Sequence, residues 1–179
     1  MSIFDDKMSS ERLRPLSQRE VRIVADLEFR EKWFFSRDDI RKYVDSESKL
    51  RYTIHRLKTK GRVMSINKNK YYLIPIKARS GGWSEHPFVL ADEMFNGDGY
   101  YIGGWAAANY WRLTEQVPMK TQVYTNKRNG AVKLLGSAFL LHKTTKRRIE
   151  NAVVERMHDH PFRILSKEDT RAWLESRDW

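Results

Sequence analysis

The residues whose types could support catalysis are few: His142, and the run His158-Asp159-His160 just ahead of Pro161. Histidine and aspartate are ligand types of hydrolytic metal sites, and histidines at i and i+2 on a strand share one face. A catalytic metal also needs a third convergent ligand and a nearby carboxylate base, and no zincin or related spacing supplies them. A surface turn before Pro161 accounts for the same residues more simply. The nine glycines form no G-x-G-x-x-G or G-x-x-x-x-G-K-[ST] pattern to cradle a phosphate, and no G-x-S-x-G elbow presents a serine. With no cysteine, disulfides, cysteine-ligated zinc, iron–sulfur clusters and thiol nucleophiles are excluded, which fits a reducing cytoplasm. The expectation is a protein with no metal, no cofactor and no enzymatic activity. A nucleic-acid-processing enzyme remains the reading that a metal at these histidines would support.

The other chemistry is ionic. The chain has a formal net charge of +11 and a pI near 9.9, which favours a polyanionic partner, and the position of the charge says more than its total. Residues 1–45 hold ten Lys/Arg and ten Asp/Glu; residues 46–77 hold nine Lys/Arg and one acid, Glu47, for a net +8; residues 78–179 hold fifteen and twelve. Most of the excess therefore sits in about thirty residues, as a dedicated contact surface requires.

Local signals place that stretch on definite elements. Leu16-Ser17-Gln18-Arg19-Glu20-Val21 reads as a capping box, with Ser17 as N-cap, Glu20 as its partner and Leu16 stapled to Val21. Val21, Val24, Ala25 and Leu27 give the helix an apolar face to about Lys32. Phe35-Ser36-Arg37-Asp38-Asp39-Ile40 repeats the device and predicts a short helix ending near Val44. After a turn at Asp45 and Ser46, Leu50, Ile54 and Leu57 mark a third helix that stops at Gly61, in the position of a C′ glycine. Residues 62–66 and 70–74 are β-prone runs around Asn67-Lys68-Asn69, as in a hairpin.

Three capped helices followed by a basic hairpin is the order of a winged helix-turn-helix, whose third helix enters the major groove. The sequence predicts this domain over residues 17–78, after a loose tail at 1–16 with no continuous apolar run for a signal peptide or membrane span. Ser48, Lys49, Arg51, Tyr52 and His55 are the candidates for the groove. Arg56, Lys58, Lys60, Arg62, Lys68 and Lys70, with Asn67 and Asn69 at the wing tip, are the candidates for phosphate. Tyr52 reads equally as contact or core, and a small helical domain with a solvated basic helix is the plainer alternative.

Beyond the Gly81-Gly82 linker region, residues 79–179 predict a mixed α+β domain, so the whole chain is expected to be α+β. Residues 88–95 and 105–112 have helical spacing, and residues 122–126, 131–135, 138–142 and 149–156 look like successive strands. Trp105, Tyr110 and Trp111 read as core aromatics rather than a base-stacking platform. Residues 127–148 form a second acid-free stretch with Lys127, Arg128, Lys133, Lys143, Lys146, Arg147 and Arg148. It suits a second phosphate contact, a surface for an acidic partner, or a solvated face.

Several segments carry a family resemblance: Tyr71-Tyr72-Leu73-Ile74-Pro75, Ala91-Asp92-Glu93, Tyr100-Tyr101-Ile102-Gly103-Gly104-Trp105-Ala106-Ala107-Ala108, Leu113-Thr114-Glu115-Gln116-Val117-Pro118 and Val123-Tyr124-Thr125-Asn126-Lys127-Arg128. In this order the chain resembles the AbiEi family, prokaryotic transcriptional regulators that serve as antitoxins of type IV toxin–antitoxin systems. The resemblance implies a cytoplasmic, nucleoid-associated protein that binds repeated half-sites in the promoter of its own operon and represses it. It also implies a nucleotidyltransferase-like toxin as functional partner, counteracted without a stable complex. Family members usually continue into a longer helical C-terminal region, to which neutralisation is ascribed; here it would begin near Ser166-Lys167-Glu168-Asp169-Thr170. A winged-helix regulator or protein-interaction module with no toxin partner is the alternative.

Overall fold

A computed structural model describes residues 15–78 and 85–177 of a chain that divides into two compact units, 1–81 and 82–179. Most of the expected tail and the expected linker lie outside the described residues. The chain is mixed α+β, with helices and two separate sheets among the described residues.

In the first unit, helix α1 (Gln18–Phe29) opens on the Ser17–Glu20 capping box: the Ser17 amide donates to Glu20 Oε2 at 2.6 Å and the Glu20 amide to Ser17 Oγ at 3.4 Å. Its inward stripe is Glu20, Ile23, Val24 and Leu27, not the face expected from the apolar residues alone. Val21 is 46% exposed and Ala25 also faces solvent. The stripe keeps helical spacing, but its first position is a carboxylate, so a search for apolar periodicity starts one residue late. The helix stops at Arg30 rather than Lys32, because Glu31 turns to a positive φ of 51° and the Lys32 amide bonds back to the Leu27 carbonyl at 2.8 Å.

Strand β1 (Phe34–Ser36), which local signals did not reveal, leads into helix α2 (Arg37–Arg41), where the Ser36 amide donates to Asp39 Oδ2 at 2.7 Å. Helix α3 (Glu47–Thr59) is capped by Ser46, buries Leu50, Thr53, Ile54 and Leu57, and ends at Lys60 before Gly61, whose φ of +66° lets the chain reverse. Strands β2 (Val63–Ser65) and β3 (Lys70–Leu73) follow, and the antiparallel sheet has the order β1-β3-β2. Ile23, Leu27, Phe35, Ile40, Leu50, Leu57, Val63, Tyr71 and Leu73 join the three helices and one sheet face in a single core.

The second unit begins with helix α4 (Pro87–Phe95), strand β4 (Tyr100–Ile102), helix α5 (Gly104–Tyr110) and strands β5 (Thr121–Thr125), β6 (Gly130–Leu134) and β7 (Ser137–Lys143). Helix α6 (Lys146–Glu150), strands β8 (Val153–Met157) and β9 (His160–Ile164) and helix α7 (Lys167–Glu175) complete it. The mixed sheet has the order β6-β7-β5-β4-β9-β8, with β5–β7 and β4–β9 parallel. Alternation along β4 sends Tyr100 to one face, stacked 5.3 Å from Phe95 of α4, and Tyr101 to the other, stacked 5.0 Å from Tyr124 of β5. Trp105 and Trp111 pack as expected of structural aromatics: Trp105 meets Trp173 edge-on and Trp111 donates to the Leu165 carbonyl at 2.8 Å. The strand expected over 149–156 is two elements, the end of α6 and then β8.

Candidate nucleic-acid interface

The buried stripe of α3 divides its polar residues into two rows. Arg51, His55 and Lys58 recur at i, i+4 and i+7 and face the β2–β3 hairpin. Together with Arg37, Ile54, Ser65, Asn67, Lys68 and Tyr71 they line a groove of about 330 Å³. No carboxylate lines it. Among the described residues, Arg51, Lys58 and Lys68 make no ion pair, so their charges are available to a partner. Arg37 is anchored instead: its Nε donates to Tyr71 Oη at 3.2 Å and its Nη1 lies 3.5 Å from Glu47. Ser48 is exposed one turn before this row.

The second row, Lys49, Tyr52 and Arg56, faces the start of α1, where Ser17, Gln18, Arg19 and Glu20 line a separate cleft with Tyr52 and Arg56. Its charges are largely matched. Lys49 Nζ lies 3.1 Å from Asp45, and Arg56 Nε lies 3.0 Å from Glu20 with its guanidinium 5.7 Å from the Tyr52 ring centroid. Tyr52 is 60% exposed, which excludes the core reading.

The β2–β3 hairpin tip is built by Asn67, whose Oδ1 accepts from the amides of Asn69 at 2.9 Å and Lys70 at 3.0 Å. This turn leaves Lys68 and Asn69 exposed and Lys70 half-buried. Asn67 thus positions Lys68 and spends its acceptor on the turn.

Two residues assigned to phosphate are not at the surface. Lys60 is buried, with Nζ 2.5 Å from Glu20 Oε2 and 2.8 Å from the Pro15 carbonyl. Arg62 is buried, with Nη1 3.4 Å from the Pro75 carbonyl. Lys60 answers the carboxylate in the α1 stripe. Burial acting alone would raise the pKa of Glu20, but the bonds from Lys60 and Ser17 outweigh it and hold the carboxyl below its ordinary value. Conversely, sequence reasoning missed Ser65, which stands opposite Tyr71 on the β2–β3 hairpin, and Arg37, which reaches the groove because β1 pairs with β3, Ser36 opposite Lys70 and Phe35 opposite Tyr71. That pairing is non-local and has no sequence signature.

The second basic stretch does not form one face. Lys127 lies over the Phe95 ring at 5.3 Å, Lys146 lies 3.8 Å from Glu150, and Arg148 lines a cleft with Tyr101 on the other side of the sheet. Arg128, Lys133, Lys143 and Arg147 are exposed. The histidines are also dispersed. His158 and Asp159 form the β8–β9 turn with φ of 48° and 65°, His160 Nε2 lies 3.0 Å from Asp92, and His142 stacks on Tyr124. Among the described residues, no group of three or more histidines and carboxylates is placed to hold a metal ion. None of their helices is long and apolar enough to cross a membrane.

Comparison of the chain with models of known protein families and with curated proteins finds no match.

Proposed function

We propose that the first unit is a winged helix-turn-helix that binds duplex DNA through the groove between α3 and the β2–β3 hairpin, and that the protein is a sequence-specific transcriptional regulator. The observation that carries this reading is the acid-free groove, with Arg51, His55 and Lys58 on the helix wall and Lys68 on the hairpin wall. Supporting it is the element order: three helices, a strand between the first two, and a hairpin closing a β1-β3-β2 sheet behind them. In this docking Arg51 and His55 meet base edges, while Lys58 and Lys68 clamp phosphates on either side. The unpaired state of Arg51, Lys58 and Lys68 matters energetically, because a cation already matched by a carboxylate gains less from releasing counterions on DNA.

The more specific role is an autorepressing antitoxin of a type IV toxin–antitoxin operon. Its support is the resemblance, whose specific part is the stretch from Tyr100-Tyr101-Ile102-Gly103 to Thr114-Glu115-Gln116-Val117-Pro118, running from β4 through α5. Fluorescence anisotropy with a labelled duplex from the promoter upstream of its own coding sequence tests the DNA reading. Tight binding to that duplex, weaker binding to a scrambled one, and a log–log salt slope of about −0.9 per phosphate contact are expected. Equal affinity for both duplexes, or a flat salt titration, rejects sequence-specific docking. A co-transcribed nucleotidyltransferase gene whose toxicity the protein relieves would extend the reading to an antitoxin.

A further inference from the structure

The second unit contains a cleft of a different character from the cationic groove. It measures about 630 Å³, within the range of small-molecule sites, and lies on the sheet face opposite α4. The Tyr101–Tyr124 pair forms its floor, with ring centroids 5.0 Å apart. His142 covers the other face of Tyr124, again at 5.0 Å between centroids. On Trp173, in the α7 wall, Arg177 lies 4.5 Å from the ring centroid and Trp105 packs at a near-perpendicular angle. The aromatic side chains therefore offer the cleft their edges and hydroxyls, not open faces. Leu165 and Ala172 add aliphatic carbons beside them.

Three hydrogen-bond donors converge on this apolar lining. Burial raises the pKa of the Tyr124 hydroxyl, and the guanidiniums of Arg177 and Arg148 are close enough to oppose that rise. Among the described residues the Tyr124 hydroxyl has no hydrogen-bond partner, and neither arginine makes an ion pair. A guanidinium lying over an indole keeps its in-plane N–H groups for an oxygen acceptor. The charged residues of the lining are Arg148, Arg177 and Asp169, two cations against one anion, and the Ser166 hydroxyl holds that carboxylate in the α7 cap at 2.8 Å. One further negative charge balances the set.

We propose that this cleft binds a small aliphatic carboxylic acid as its anion, the carboxylate forked between Arg148 and Arg177 and the hydrocarbon chain laid along Leu165, Ala172 and the ring edges. The lining selects this class. A phosphate dianion or an acidic peptide brings a second negative charge up to Asp169 and leaves the hydrocarbon carbons in water. A nucleotide needs a ring face, and Tyr101, His142 and Arg177 already occupy those faces. A neutral alcohol leaves both guanidiniums unmatched. The proposal does not depend on duplex binding by the first unit.

Isothermal titration of the full chain at pH 7 with acetate, butyrate, hexanoate, hexanol and inorganic phosphate tests it. Hexanoate should bind one-to-one and at least about tenfold more tightly than acetate, hexanol or phosphate, with a gain of about fourfold for each methylene buried along the series. Arg148→Ala and Arg177→Ala, both at exposed positions, should each weaken hexanoate binding about tenfold, whereas Arg51→Ala should leave it unchanged. A flat chain-length series would mean an adventitious ion only, and hexanol binding as tightly as hexanoate would mean that the arginines play no part. Either result overturns the proposal, as does the lack of saturable binding by any acid or an affinity indifferent to both arginine variants.

Discussion

Residues 46–77 and 127–148 are both nearly free of acids, yet the fold treats them in opposite ways. In the first stretch one helix face and one hairpin edge gather Arg51, Lys58 and Lys68 around a single groove, while Lys60 and Arg62 are drawn inside. In the second, the β5–β6 turn sends Lys127 toward α4, and the short helix α6 sends Lys146 along its own axis and Arg148 into an aromatic cleft. A charge run becomes a binding face only where the period of the element matches the spacing of the charges. Arg51, His55 and Lys58 match the α-helical period, and the second stretch, split among β6, β7 and α6, has no common period.

The largest expected effect separates the two stretches directly. Arg51→Ala with Lys68→Ala should lower affinity for the cognate duplex about a hundredfold, taking about 1.5 kcal/mol for each charge-assisted contact, and make the salt slope shallower by about 1, for the phosphate contact of Lys68. Lys133→Ala with Lys143→Ala, two exposed cations of the second stretch, should change affinity by less than about twofold. Equal losses in the two doubles, read by anisotropy at the same salt, would erase the distinction and leave only total charge as the cause.

A stability effect of intermediate size sharpens the contrast within the first stretch. Glu20→Ala leaves the buried Lys60 ammonium without its carboxylate, and urea unfolding should show a loss of about 3 kcal/mol. Duplex affinity of the folded protein should stay within about twofold of wild type, since Lys60 faces away from the groove. Because the folded-state pKa of Glu20 lies below its unfolded value, the pair contributes fully above the unfolded value of about 4.3 and is lost as pH falls through the folded one. Stability of wild type should therefore decline on acidification over that window more steeply than that of Glu20→Ala. Parallel pH profiles would show that Lys60 is not held by this carboxylate.

The parts of this arrangement that were legible in the sequence are the local ones. Ser17 and Ser36 announce their helices because a cap involves residues two or three positions apart, and Gly61 marks the end of α3 because its φ is positive. Strand β1 left no trace, since three residues derive their identity from pairing with β3 across the unit. Of the β8–β9 hairpin the turn before Pro161 was legible but strand β9 was not, because His158 and Asp159, not Asn-Gly or a similar pair, occupy the two positive-φ positions. Helix α6 has only five residues, too few to display a period, and Ile149 was absorbed into the following strand. Lys60 was misassigned for the same non-local reason: its charge was read as exposure, but Glu20, forty residues earlier, decides where it points.

The smallest expected effect asks whether the wing acts by shape or by charge. Asn67 contributes no charge to the groove, but its Oδ1 gathers the amides of Asn69 and Lys70 and so fixes the turn on which Lys68 stands. Asn67→Ala removes both acceptor contacts from a partly exposed turn, where water can replace them, so the cost in stability should be below about 1 kcal/mol. Lys68 keeps its charge but loses its fixed position, and the added freedom must be given up on binding. Affinity should then fall about threefold for cognate and random duplex alike, with an unchanged salt slope, because the number of neutralised phosphates is the same. Asn67→Asp keeps the acceptor while placing a negative charge beside Lys68, so it should weaken binding more than Asn67→Ala despite a better-held turn. If the aspartate variant binds better than the alanine variant, geometry rather than potential governs this edge of the groove.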